Sequence, residues 1–79
     1  MISNIKVASA IKMSYSYCIE PKEYYAVTAT VDYMLTAMEL SKDSMVEILD
    51  MATGIDSIAD SHIDKLIEHY KKKGVKNGD

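Results

Sequence analysis

Seventy-nine residues, 48% of them apolar and 27% charged, provide for one small core and argue against global disorder. A chain of this size hides only about 60% of its unfolded surface on folding, so its stability is marginal and self-association is a common remedy. The formal charge is −3, and all nine basic residues are lysine. Without arginine the chain lacks the preferred bidentate donor for bases and phosphates, which argues against sequence-specific DNA reading.

Cys18 is the single cysteine and has no internal disulfide partner. No apolar run approaches the ~20 residues of a membrane span. Residues 1–10 lack the basic start and long apolar run of a signal peptide. The expectation is a cytoplasmic protein that does not enter a membrane.

Residues 1–10 fit a strand through Ile5, Val7 and Ile11 as well as a short helix through Ile2, Ile5 and Ala8. Over residues 11–19, Ile11, Met13, Tyr15, Tyr17 and Ile19 alternate with Lys12, Ser14, Ser16 and Cys18. Residues 25–33 alternate likewise, with Tyr25, Val27, Ala29, Val31 and Tyr33 on one parity and Thr28, Thr30 and Asp32 on the other. A period of two lays one face of a strand on a core, and β-branched and aromatic residues suit that surface. Pro21 punctuates the turn between the runs, giving a β-hairpin over residues 11–33. The competing reading is a helix opened by Pro21, with Tyr24, Val27, Val31, Met34 and Met38 as its seam.

Residues 34–40 carry no clear period. From Ser41 the spacing becomes helical, with Ser44 or Ser41 as cap and Met45, Ile48, Leu49 and Ala52 on one face. Gly54 reads as the residue that ends this helix after Thr53. A second helix starts at Asp56 or Ser57, buries Ala59, Ile63, Leu66, Ile67 and Tyr70, and runs to Lys73. The fold class expected is therefore α+β: an N-terminal antiparallel β-hairpin, then a helical hairpin over residues 42–73 packed on one sheet face. Residues 74–79 form a tail, and the whole is one small domain.

The charge is segregated. Residues 39–68 carry eight acids against Lys42 and Lys65, a local balance of −6. Asp56, Asp60, Asp64 and Glu68 are successive i,i+4 neighbours, and Asp43, Glu47 and Asp50 repeat the pattern on the preceding helix. Like charges at this spacing cost about 0.2–0.5 kcal/mol per pair. A stripe that lowers stability suits a basic partner surface, and charges about 6 Å apart along a helix are on the order of phosphate spacing. The bland reading is a solvated face that keeps the chain soluble.

His62 and His69 stand seven residues apart, too far for a zinc pair on one helix, and no metal or other cofactor is expected. No motif places a base beside Cys18, and no glycine-rich loop is present to cradle phosphate. Nothing groups the acid–base pair that an enzyme needs. Tyr15, Tyr17, Tyr25 and Tyr33 share a parity and are expected to pack inward or at an interface, while Tyr24 lies opposite. The exposed edge of the hairpin invites a homodimer.

Residues 40–49, Leu-Ser-Lys-Asp-Ser-Met-Val-Glu-Ile-Leu, resemble the start of the second helix of ribbon–helix–helix repressors, with residues 27–31 in the ribbon's place. The gap between the two is too short for that fold's first helix, and using residues 35–40 as the ribbon leaves a poor strand. The resemblance implies a DNA-binding regulator as the alternative function, with a structural subunit as another. The reading preferred is a non-enzymatic protein that binds a partner with a basic surface, as an inhibitor mimicking nucleic-acid charge. Its candidate residues are Asp43, Glu47, Asp50, Asp56, Asp60, Asp64 and Glu68.

Overall fold

The computed structural model describes residues 3–77, with side chains placed over residues 3–72. Every regular element among them is a helix: α1 (Asn4–Ser16), α2 (Pro21–Ala37), α3 (Lys42–Ile55) and α4 (Asp60–Asn77). The α+β expectation is thereby overturned, and neither strand of the expected hairpin forms.

In α1 the buried residues are Val7, Ala8, Ile11, Lys12 and Tyr15, which is the spacing of one helical face. In α2, Val31 and Leu35 are buried, with Tyr24, Val27 and Met34 packed beside them. The competing Pro21 helix is thus the one adopted. Pro21 takes the first helical position, where its missing N–H is no loss. The Glu23 carboxylate accepts from the N–H groups of Glu20 (2.7 Å) and Ile19 (2.8 Å), tying down the start. Thr28 and Thr30, poor helix formers by propensity, donate their hydroxyls back to the carbonyls of Tyr24 (2.9 Å) and Ala26 (3.0 Å).

With no strands among the described residues, the odd-numbered tyrosines do not share a sheet face. Tyr15 is buried, but Tyr17, Tyr25 and Tyr33 are exposed, and Tyr24 is half-buried. A strand edge for dimerisation is absent from the described residues, and residues 27–31 are helical, which removes the ribbon of the repressor resemblance.

The C-terminal half follows its sequence more closely. Ser41 caps α3, its hydroxyl accepting from the Ser44 N–H at 3.1 Å. Ile48, Leu49 and Ala52 are buried, with Met45 packed against them. The helix runs on to Ile55, so Gly54 lies inside it instead of ending it. The next helix begins at Asp60, because residues 56–59 form a link in which Ala59 takes a left-handed φ of 59°. Glu39, in the link before α3, has φ 56°. Ile63, Leu66, Ile67 and Tyr70 of α4 close the core.

α1 packs mainly on α3 and α3 on α4, while α2 leans on α4 and touches α1 only lightly. Hydroxyl bridges hold α2 where its apolar contribution is thin. Tyr15 reaches Thr28 (2.5 Å), and Tyr70 donates to the Asp32 carboxylate (2.6 Å). Burial, and then the Asp32 carboxylate, keeps the Tyr70 hydroxyl protonated well above the usual phenol range.

Lys12 stands apart from the apolar core around it, being only 4% exposed. Its ammonium donates to the carbonyls of Asp56 (3.0 Å) and Ile58 and to Asp60 Oδ1 (2.7 Å). Those three oxygens match its three N–H donors. Asp56 Oδ1, at 3.1 Å, adds a second negative charge. The same oxygen accepts the Ile58 N–H at 2.9 Å, folding the link into an Asx turn. Lys12 thus pins α1 to the α3–α4 link.

Replacing Lys12 by Met keeps its stem but orphans two carbonyls and two carboxylates. The carboxylates are partly solvated, so the expected loss is about 2 kcal/mol, below the 3–5 kcal/mol of a fully buried pair. Urea unfolding followed by far-UV circular dichroism measures this. The exposed Lys71→Met control is expected to stay within about 0.5 kcal/mol of wild type.

Candidate functional site

The seven candidate carboxylates fall into three groups. Asp43, Glu47 and Asp50 are exposed on α3, at the i,i+4 and i,i+3 spacing of one outward face, opposite buried Ile48, Leu49 and Ala52. Asp43 lies in the first turn, where the helix dipole favours a negative charge. Among the described residues no ion pair engages these three.

Asp56 and Asp60 belong to the Lys12 clamp. Asp56 is also off the helix, in the link, so the expected run of four acids along α4 is one short. The Ile58 N–H, and after it the Lys12 ammonium, hold the Asp56 carboxyl below the usual carboxylate range.

Asp64 and Glu68 remain exposed on α4, but they share a shallow depression with Lys65, His69 and Lys72. The α4 surface is therefore mixed in charge, and the unrelieved acidic surface is that of α3.

The ring of His62 lies stacked on Tyr24 at 5.0 Å and edge-on to Tyr25 at 5.3 Å, so it is part of the α2–α4 packing. His69 tilts against Tyr70 at 5.9 Å. No group of three or more His, Cys, Asp or Glu side chains among the described residues is placed to hold a metal ion. Cys18 is half-buried, with its Sγ directed to the Ser14 carbonyl at 3.8 Å. Burial, and then the nearby Glu23 charge, pushes its thiol up and away from the reactive thiolate.

Sequence reasoning missed two features. One is Lys12, whose signal was a lone lysine set into a helical apolar stripe. The other is a groove of about 260 Å³ between α1 and α2, floored by Ile11, Val27 and Val31 and walled by Ala10, Ser14, Ala26 and Thr30. Small residues at i,i+4 on two successive helices were its signal, once both were read as helices.

The chain matches no protein-family model, no curated protein and no solved structure at a significant level. Among the described residues no helix is long and apolar enough to cross a membrane.

The depressed carboxyls of Asp56 and Glu23 set an acid limit. A carboxyl that binds its proton more weakly folded than unfolded stabilises the fold fully above the ordinary carboxylate pKa, and that contribution disappears as pH falls through the folded value. The urea midpoint is expected to hold from pH 7 to pH 5 and to fall below about pH 4. Asp56→Asn, which keeps an oxygen for Ile58 but no charge for Lys12, should lie below wild type at pH 7. The gap should narrow at pH 3; a constant gap would remove Asp56 from the acid transition.

Proposed function

We propose that this chain is a small non-catalytic protein that binds a protein partner through the acidic outer face of α3, with Asp64 and Glu68 of α4 at its margin. The observation that supports this reading is the segregation of the surface. Asp43, Glu47 and Asp50 project together with only Lys42 at their N-terminal end, while α4 mixes both signs and Asp56 and Asp60 are turned to Lys12. Unrelieved like charges on one helix face are mildly destabilising, and a basic partner surface converts that repulsion into attraction. Binding of this kind is fast and falls with salt, because complementary charge acts mainly on the encounter. A basic surface that ordinarily holds nucleic acid fits the description.

Neutralising Asp56 or Asp60 would disturb the Lys12 clamp and confuse the test, so the informative variants lie elsewhere. Partner capture from a host lysate is compared between wild type, the Asp43→Asn, Glu47→Gln, Asp50→Asn variant and an Asp64→Asn, Glu68→Gln control. The expected result is a partner held by wild type, lost with the three α3 charges, retained largely by the control and released by salt. A partner list indifferent to the three α3 charges would leave that face as a solvating surface. A DNA mobility shift abolished by neutralising Lys22, Lys71 and Lys72 would instead favour a nucleic-acid-binding protein.

A further inference from the structure

The four helices are not held equally. Of the seventeen residues of α2 only Val31 and Leu35 are buried, whereas α1, with thirteen, buries five. α3 packs broadly on both α1 and α4, and α2 is the helix left outside that pairing. Where α2 meets α1, an open groove of about 260 Å³ stands over Ile11, Val27 and Val31. Side chains that face a gap forgo the close contacts that would otherwise bind the two helices.

What does hold α2 is made largely by single polar or aromatic groups. The Thr28 hydroxyl meets that of Tyr15 (2.5 Å), and the Asp32 carboxylate accepts from Tyr70 (2.6 Å). The rings of Tyr24 and Tyr25 lie against His62. When α2 leaves, water takes over both hydroxyl bonds, so each is small in net terms.

The Lys12 clamp, by contrast, has no member on α2, since it joins α1 to the link between α3 and α4. α2 is bounded on both sides by short links, residues 17–20 and 38–41, most of them exposed. It can therefore swing away without unwinding a neighbouring helix. Elements that open below the global transition are those with few buried apolar contacts and low local packing.

We propose that α2 is a detachable strap, opening as one unit while α1, α3 and α4 stay packed around the Lys12 clamp. Opening uncovers the hydroxyls of Tyr15 and Tyr70 and the ring of His62 together, because each has its partner on α2. Asp43, Glu47 and Asp50 take no part in it, so this inference and the binding reading stand or fall separately.

Hydrogen exchange of the full chain at neutral pH, followed amide by amide by NMR, reads the opening of each helix. Wild-type amides in the middle of α2 are expected to share one protection factor, roughly tenfold or more below that of the slowest amides of α1, α3 and α4. Two variants then separate strap opening from global unfolding. Lys12→Met weakens the closed and the strap-open forms alike, so the slowest amides of α1, α3 and α4 should exchange about 30-fold faster with α2 unchanged. Tyr70→Phe weakens only the closed form and should speed α2 and those slowest amides by the same factor, about five- to tenfold. Protection in α2 equal to that of the other helices would overturn the proposal. So would an α2 that Lys12→Met accelerates as much as the rest, or one indifferent to Tyr70→Phe.

Discussion

A buried ammonium must be surrounded by oxygen, and in this fold a single turn of backbone supplies it. The Lys12 side chain crosses from α1 to the link between α3 and α4 and takes up the carbonyls of Asp56 and Ile58 together with the carboxylates of Asp56 and Asp60. That requirement sets the conformation of the link. The Asx turn at Asp56 and the left-handed Ala59 place these oxygens around one nitrogen, and α4 cannot begin until Asp60. The start of α4 in turn decides which of its residues meet the core. One polar contact therefore ties α1 to the link between α3 and α4, beside the apolar packing of α1 on α3 and α3 on α4.

The same contact divides the acidic residues by role. Asp56 and Asp60 are structural, and Asp64 and Glu68 lie among lysines. α3 keeps a group of carboxylates, Asp43, Glu47 and Asp50, with no ion pair among the described residues, and Lys42 stands at its start. On α1 and α2, Lys12 and Asp32 are bonded inward, while Lys6, Lys22 and Glu23 stay exposed near the helix starts.

The C-terminal half was legible because its apolar residues recur only at helical spacing: Ile48, Leu49 and Ala52, then Ile63, Leu66, Ile67 and Tyr70. The N-terminal half was not, for a geometric reason. A step of four residues is even, so a helical i,i+4 stripe preserves parity. Val7, Ile11 and Tyr15 are all odd, as are Val27, Val31 and Leu35, and each trio is as consistent with a strand as with a helix. Exposed Met13, Tyr17, Ile19, Tyr25 and Tyr33 completed the false alternation. Valine, threonine and tyrosine then tilted propensity towards the strand, and tertiary burial overrode it. In the candidate site, the spacing of Asp43, Glu47 and Asp50 was readable, whereas the withdrawal of Asp56 and Asp60 depended on a lysine 44 to 48 residues away.

The link preceding α4 also bears on how far the fold lies from its own optimum. Ala59 holds a left-handed backbone that a side-chain-bearing residue adopts at a cost of about 1 kcal/mol or more. Five positions earlier Gly54 sits within α3, where its freedom is a liability of about 0.5–1 kcal/mol and where an added methyl would meet nothing within 4 Å. Glycine and alanine thus occupy each other's preferred places. Selection that only requires a fold to clear a threshold leaves such exchanges unmade, and here that untapped margin is a sizeable part of what a 79-residue chain has to hold itself together.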